Sequence, residues 1–198
     1  MTKDTPLDHP IHELLASRWS SRAIDPAKSI PKDVMMQVLE AARWAPSSRN
    51  EQPWRFIIFT KDKPAELEKA HSTLSEGNAW AKHAPVLLLS VAKLFFDLNG
   101  KENRHAVHDL GLATENLILQ AAALGLVTHQ MAGFDHERAR ALFQIPQGFE
   151  PMTMIVLANP GDLLQLDAKS QEKEKAARTR LLISEFTFDC TWGSTISS

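Results

Sequence analysis

Short apolar runs alternate along the chain with segments of helical periodicity, and both patterns predict regular structure. Three runs combine aromatic, β-branched and leucine residues as β-strands do, and they extend from Trp54 to Phe59, Pro85 to Ala92 and Met152 to Ala158. The run Leu126–Gln130 is a weaker fourth candidate. Because the Pro85–Ala92 run is short and almost entirely apolar, it is typical of a strand buried on both faces.

Four other segments repeat apolar residues at helical spacing. The first has Pro31 in its opening turn and stops at Pro46, and the second extends from Pro64 to Leu74. Asp135 is the expected N-cap of a short helix that ends at Phe143. The longest segment, Arg104–Leu124, is apolar nearly all round in its second half, which predicts a buried helix. The irregular alternation of helices and strands favours an α+β or three-layer α/β/α domain.

The C-terminal part of the chain changes character twice. Residues Ala168–Arg180 are highly charged, as in a solvated helix or loop. The tail that follows carries large aromatic side chains, which need an apolar surface on their own chain or on another subunit. They are Phe186, Phe188 and Trp192. We expect residues 1–198 to form a single domain, with residues 185–198 as a C-terminal extension that packs on a partner subunit.

Composition and charge narrow the classes of function. The chain has 198 residues, of which 43% are hydrophobic and 23% charged, so it is long and apolar enough for a sizeable core. The net charge of −2 argues against a nucleic-acid binder. A single cysteine, Cys190, excludes an intrachain disulfide, and no apolar run is long enough to span a bilayer. Since Met1–Ser20 also lacks the apolar core of a signal peptide, we expect a cytoplasmic protein.

Common cofactor signatures are missing from the sequence. No two of the eight glycines are separated by a single residue, so there is no G-x-G-x-x-G, and neither a Walker loop nor a G-x-S-x-G elbow occurs. His105, His108 and Asp109 share one face of the long predicted helix, and Glu68 and His71 have the spacing of half a di-iron site. Polar positions at helix ends explain these residues better than metal ligands do, and we expect no metal site.

Two polar segments are stronger candidates for a binding site. Arg18–Arg22 presents two guanidinium groups with hydroxyl groups between them, which suits a phosphate but also an ordinary surface turn. In Ala45–Phe56, a helix stops at Pro46 and a polar loop leads directly into a predicted buried strand. The loop side chains either bind a ligand or only cap the local turn, and the residues alone leave both readings open. They are Ser47, Ser48, Asn50 and Gln52.

Taken together, these motifs resemble those of the flavin-dependent nitroreductase family. The most specific part is R-x-S-x-R followed by A-P-S-S-x-N-x-Q-P-W-x-F. His108–Leu126 is similar to the long central helix of that family, and His129–Asp135 to its loop over the flavin. Arg178–Leu181 resembles its C-terminal basic motif. The match extends from about residue 11 to residue 193.

The resemblance implies a fold and an activity. The fold is α+β with three α/β/α layers, a mostly antiparallel central sheet and a long buried central helix, in an intertwined homodimer with FMN at the subunit interface. The activity is ping-pong hydride transfer from NAD(P)H through flavin N5 to nitroaromatic, quinone or related acceptors. No catalytic side chain is expected, because the flavin carries the chemistry. A flavin-binding module without its own turnover, for storage or sensing, is the alternative.

The resemblance also implies which residues bind FMN. The phosphate and ribityl contacts fall near both ends of the chain, on Arg18, Trp19, Ser20, Arg22, Arg178 and Arg180. The contacts from the other subunit fall on the polar loop, at Pro46, Ser47, Ser48 and Asn50, with Gln52 in the same motif. The backbone of Ala132 and Gly133 would face the isoalloxazine, and Asn78 its pyrimidine ring. The segment Phe95–Arg104 would shape the acceptor pocket.

Overall fold

The fold is built on an antiparallel sheet, described by a computed structural model that covers residues 3–196. The longest strand lies inside the sheet and pairs on one side with the third strand, which in turn pairs with the second. On its other side it pairs with the fourth strand and, near its end, with the short first strand. The strands are β1 (Ile24–Asp25), β2 (Trp54–Thr60), β3 (Val86–Lys93), β4 (Val127–Met131) and β5 (Phe149–Pro160).

Helices cover both faces of this sheet. Within the described residues, the α-helices are α1 (Glu13–Ser17), α2 (Lys32–Arg43), α3 (Pro64–His71), α4 (Ala106–Ala123), α5 (His136–Leu142), α6 (Ala168–Lys175) and α7 (Ile183–Phe186). Short 3₁₀ segments lie at Ser48–Asn50, Glu76–His83 and Leu163–Gln165.

Strand β3 contributes to a hydrophobic core on each side of the sheet. Leu87 and Leu89 belong to the core under α3 and α5, whereas Leu88 belongs to the core under α2 and α4. All three side chains are fully buried. Successive strand residues point to opposite faces, so an unbroken apolar run is what a strand between two helical layers requires. The predicted three-layer α/β/α fold with an antiparallel sheet is therefore confirmed.

Helix α4 is the long central helix that the sequence predicts. Ala113, Leu117 and Ala121 recur every four residues and are fully buried in the core shared with α2. The chain leaves the helix at Gly125, whose φ of 72° is a left-handed conformation that glycine adopts without strain. The first turn of α4 carries Asp109, which is also buried and bears on the candidate site.

Most predicted elements are confirmed, with differences at their ends. The N-cap prediction is confirmed, because the Asp135 side chain accepts a hydrogen bond from the Arg138 amide. Helix α3 ends at His71, before the predicted Leu74, because Leu74 forms a β-bridge with Phe134 instead. The short elements α1 and β1 escaped prediction, since five and two residues are too few to show a period.

The charged C-terminal stretch becomes a helix only in part. Asp167 caps α6 at Ala168, and the chain is extended again from Ala176, so the basic residues that follow lie in irregular structure. In the tail, the rings of Phe188 and Trp192 lie 4.7 Å apart, yet Trp192 stays 92% exposed. Residues 197 and 198 of the predicted extension lie outside the described residues. The division into one domain with a C-terminal extension stays a prediction.

Candidate functional site

Three arginines from the two ends of the chain meet at one place, which we call the arginine cluster: Arg18, Arg178 and Arg180. Together with residues Thr5–Leu7, Ile11 and Leu15, they line a cavity of about 130 Å³. Burial, with the neighbouring charges of Arg180 and Arg18, lowers the pKa of Arg178. In the part of the chain that is described, none of the three forms an ion pair with a carboxylate. The cluster is therefore a positive site suited to an anion.

Arg178 also holds the cluster together through backbone carbonyls. Its guanidinium donates to the carbonyl oxygens of Lys3, Asp4 and Arg18, at 2.8, 3.2 and 3.2 Å. The N-terminal segment is drawn against the cluster, and the Lys3 ammonium lies 4.4 Å from the centre of the Trp19 ring. Three of the five N–H groups of Arg178 are thus used inside the chain, which leaves two for a ligand.

Arg22 is not among the residues that line the cavity of the arginine cluster. Its guanidinium carbon is 5.8 Å from the centre of the Trp80 ring, and Trp80 packs on His129 with 4.8 Å between ring centres. Burial and the nearby Arg22 charge lower the pKa of His129 to about 4. The imidazole is therefore neutral at pH 7, and its Nδ1 lies 3.2 Å from the Ser21 carbonyl oxygen. The Arg18–Arg22 segment thus connects the arginine cluster with an aromatic group, while Ser20 is exposed.

Asn78 and Gly133, which are far apart in sequence, meet in the structure. The Asn78 side-chain amide and the Ser75 backbone amide both donate to the Gly133 carbonyl, at 2.9 and 3.1 Å. A Cβ atom at position 133 would lie 2.7 Å from Ser75 Oγ and 2.8 Å from Asn78 Nδ2, closer than van der Waals contact allows. Glycine therefore lets the backbone approach Asn78 this closely, and the adjacent Ala132 is exposed.

The polar loop, residues 46–52, is held by hydrogen bonds that its backbone amides donate to side chains. The Ser48 amide donates to the Asp109 carboxylate at 2.9 Å, and the Gln52 amide donates to Ser47 Oγ at 3.0 Å. Arg49, Asn50 and Gln52 have φ angles of 55°, 56° and 50°, a left-handed conformation that costs energy without glycine. Asn50, Gln52 and Pro46 are exposed, so the loop presents polar groups to solvent.

The polar loop and the arginine cluster are separate in the chain. Across residues 3–196, no hydrogen bond or ion pair joins one region to the other. The structure thus brings together Arg18, Arg178 and Arg180, and separately Asn78 and Gly133. It leaves the polar loop outside both groups.

The residues considered as metal ligands form local contacts in the structure. His108 Nδ1 lies 3.0 Å from the Asp109 carboxylate, and His71 Nδ1 lies 3.2 Å from Glu68, so each pair is a local contact. Among the described residues, no three histidine, cysteine or acidic side chains group as metal ligands would. In the same part of the chain, none of the helices combines the length and apolar character that crossing a membrane requires.

Two acidic residues at the site were missed by sequence reasoning in these roles. Glu174 is 1% exposed and accepts hydrogen bonds from Ser21 Oγ at 2.7 Å and from the Arg22 amide at 2.8 Å. Its position inside a charged run gave no sign of burial. Asp109 was considered only as a metal ligand, although its spacing to Ala113 and Leu117 places it on the buried face of α4.

Comparison with known proteins decides which family this chain represents. The model of the Nitroreductase family matches residues 15–158, which include Arg18, the polar loop and the Gly133 loop. The chain belongs to the nitroreductase family. The match ends before α6, so Glu174, Arg178 and Arg180 lie outside the matched region.

Individual proteins are similar to the chain over most of its length. The chain is 34% identical over 147 residues to an uncharacterized 15.4 kDa protein in the ask 5′ region of Mycolicibacterium smegmatis, with 71% of this chain and 98% of that protein covered. It is 26% identical over 186 residues to the putative NAD(P)H nitroreductase YdgI of Bacillus subtilis, with 76% and 88% covered. A solved oxidoreductase containing FMN superposes with a TM-score of 0.87 at 29% identity, over 98% of this chain and 99% of its own.

Proposed function

We propose that this nitroreductase-family chain is an NAD(P)H-dependent FMN oxidoreductase in which the arginine cluster holds the FMN phosphate. The chain is similar to a putative NAD(P)H nitroreductase and to a solved oxidoreductase containing FMN. When bound, FMN supplies hydride transfer between NAD(P)H and an acceptor. The protein's own contribution is to bind and orient the cofactor, so no acid or base side chain is needed.

The main support for this proposal is that the arginine cluster suits a phosphate dianion. Three guanidiniums border one cavity without an ion-paired carboxylate in residues 3–196, and burial together with repulsion from Arg180 and Arg18 lowers the pKa of Arg178. A bound dianion would relieve this repulsion and accept charge-assisted hydrogen bonds. Arg178 donates three of its five N–H groups to backbone carbonyls and Arg180 donates to the Thr179 carbonyl, so both keep guanidinium donors for that role beside Arg18.

The other end of the cofactor would lie near Arg22, Asn78 and the Gly133 loop. Arg22 extends from the cluster along the same segment to Trp80, and Asn78 already contacts Gly133. The exposed backbone of Ala132 and Gly133 leaves room for a flat ring. In this arrangement Trp19 and Ser20 lie along the ribityl chain, between the phosphate and ring ends.

The polar loop completes the site from a second copy of the chain. In the isolated chain, Ser47, Ser48 and Asn50 have no contact with the arginine cluster. The chain exposes 12083 Å², well above the roughly 9,300 Å² of a compact monomer of this mass. Trp44, Phe186 and Trp192 are among its exposed large apolar side chains. These observations support an intertwined homodimer with FMN at its interface, which sedimentation of the purified protein can test.

Within that dimer, NAD(P)H and the acceptor use the same pocket in turn. Nitroaromatic, quinone or related flat acceptors suit an open cofactor face, and residues 95–104 lie beside the polar loop. Arg49 lies 5.9 Å from the centre of the Phe96 ring, and Glu51 accepts a hydrogen bond from the Asp97 amide at 2.6 Å. This segment would therefore shape acceptor choice. The cytoplasmic location stays a prediction.

The visible spectrum and turnover of the purified protein test the proposal. We expect a yellow protein that releases FMN on denaturation and oxidises NAD(P)H when a quinone is added. FMN without turnover would instead indicate a storage or sensing module. A colourless protein that does not bind added FMN would refute the proposed function.

A further inference from the structure

The Arg18–Arg22 segment is held at both ends by residues of one short C-terminal stretch. At one end, the Arg178 guanidinium donates to the Arg18 carbonyl at 3.2 Å. At the other end, the two carboxylate oxygens of Glu174 accept hydrogen bonds from Ser21 Oγ at 2.7 Å and the Arg22 amide at 2.8 Å. Residues 174 and 178 flank the end of α6, so one helix end fixes the whole segment.

Burial makes the Glu174 contacts costly to lose. Glu174 is 1% exposed and Ser21 is 5% exposed. Ser21 Oγ also accepts a hydrogen bond from the Ala23 amide at 3.0 Å. A buried carboxylate needs such partners, and its removal would leave the Ser21 hydroxyl and the Arg22 amide without their acceptor. Lys173 and Glu172, its neighbours in α6, are exposed, so Glu174 alone of these three reaches the segment.

We infer that Glu174 is a positioning residue for the cofactor phosphate, because it fixes the backbone of the Arg18–Arg22 segment, which carries Arg18 at the arginine cavity. Glu174 does not itself face the arginine cavity, whose lining includes Arg18, Arg178 and Arg180. Glu174 would act by preorganisation. Because the segment is already ordered before the cofactor binds, less conformational entropy is lost on binding. This inference rests on the proposed function, since it concerns the same FMN site.

Glu174→Ala tests the inference by comparing FMN with riboflavin, which lacks the phosphate. We expect FMN affinity to fall about tenfold to a hundredfold, as loss of hydrogen bonds to a charged group would cause. Riboflavin affinity should fall much less, so the preference of the protein for FMN shrinks. The dissociation constants come from quenching of flavin fluorescence. Glu172→Ala, an exposed carboxylate lost from the same helix, is the matched control and should keep the parental preference.

A double-mutant cycle gives a second readout. If Glu174 acts through the position of Arg18, then Arg18→Ala should weaken FMN binding less in the Glu174→Ala protein than in the parent. Independent effects would instead multiply. Should Glu174→Ala fail to fold, Ser21→Ala and Glu174→Gln remove the contacts more gently, with thermal unfolding as the check.

The possible outcomes separate this inference from the proposed function. A parent protein that binds no FMN refutes the proposed function itself. A parent that prefers FMN to riboflavin, with the same preference in Glu174→Ala, overturns only the positioning role. Equal losses for FMN and riboflavin would also overturn it, because they indicate a general loss of structure.

Discussion

The arginine cluster and the polar loop are built in opposite ways. The arginine cluster joins residues more than 150 positions apart through side-chain contacts, such as Ser21 with Glu174 and Arg178 with Arg18. The polar loop combines a local contact between Ser47 and Gln52 with contacts of shorter sequence separation, from the Ser48 amide to Asp109 and from the Asp97 amide to Glu51. The cluster gathers positive charge on residues of ordinary backbone conformation. The loop has three residues of left-handed conformation and one charge of each sign, on Arg49 and Glu51.

In the proposed homodimer, this difference would give each region its own part of the site. None of the three cluster arginines forms an ion pair with a carboxylate within residues 3–196, so a bound phosphate would stabilise the cluster. The strained loop, with its exposed donors and acceptors, would meet that cluster from the other chain.

Acid should lower the stability of the protein through His129, which lies beside the Arg18–Arg22 segment. The pKa of His129 is lowered to about 4 by burial and Arg22, while an unfolded chain takes up the proton near pH 6.5. Between these values the unfolded state binds more protons, so stability falls as the pH falls. The loss should reach about 3 kcal/mol by pH 4. Denaturant unfolding across this range measures it.

Two histidine variants check this pH dependence. His129→Gln should flatten the profile between pH 6.5 and 4, because its side chain does not titrate. His83→Gln, at an exposed position, should leave the profile unchanged. If the parent and His129→Gln lose stability in parallel, His129 does not account for the acid sensitivity.

Removal of one arginine should weaken FMN binding without unfolding the chain. Arg18→Ala deletes a charge-assisted contact worth about 1.5–3 kcal/mol, or roughly a 10- to 150-fold loss of affinity. Arg138→Ala removes an exposed arginine of α5 and should bind FMN as the parent does. Titration of the apoprotein followed by flavin fluorescence gives both constants. Parental affinity in Arg18→Ala would show that the arginine cluster is not the phosphate site.

Loss of Asp109 should release the polar loop. Asp109→Ala leaves the Ser48 amide without its acceptor and should cost about 1–3 kcal/mol of unfolding free energy. Asp109→Asn keeps one acceptor oxygen and should cost less. Chemical denaturation measures both, with Glu115→Ala on the exposed side of α4 as control. If the loop of Asp109→Ala resists proteolysis as well as that of the parent, Asp109 does not anchor it.

The smallest effect concerns the backbone strain of the loop. Arg49 has a φ of 55°, which glycine adopts freely and a β-branched residue resists. Arg49→Gly should therefore be more stable than Arg49→Val by about 1–2 kcal/mol. At Arg55, which lies in β2, the order should reverse because strands favour valine. Thermal unfolding of the four variants compares the two positions, and the same order at both would argue against strain at Arg49.

The features that could be predicted from the sequence are those that depend on the local pattern of apolar residues. The burial of β3 on both faces follows from its unbroken apolar run, and the buried face of α4 follows from its four-residue spacing. The fold followed from motifs within the chain. The candidate residues that sit together, Asn78 with Gly133 and Arg18 with Arg178, came from the family resemblance and not from spacing.

Contacts between residues far apart in the sequence could not be predicted from the local hydrophobic pattern. Glu174 lies in a run of charged residues that looks solvated, and only the placement of α6 against Ser21 explains its burial. Arg22 stays a predicted phosphate or ribityl contact, and the sequence pattern gave no sign that its guanidinium lies over the Trp80 ring. The left-handed angles at Arg49 and Gln52 were equally invisible, since neither residue type signals a positive φ.

A mixed dimer tests the central claim, that the arginine cluster of one chain meets the polar loop of another. One chain carries Arg18→Glu and the other carries Ser48→Ala with Asn50→Asp. The chains are co-expressed with two different affinity tags and purified through both. By two-fold symmetry, the mixed dimer then holds one site with all defects and one with none. We predict about half of the parental FMN content and turnover, from two chains that bind little FMN as homodimers. A mixed dimer with as little FMN as those homodimers would place the whole site within one chain and contradict the account.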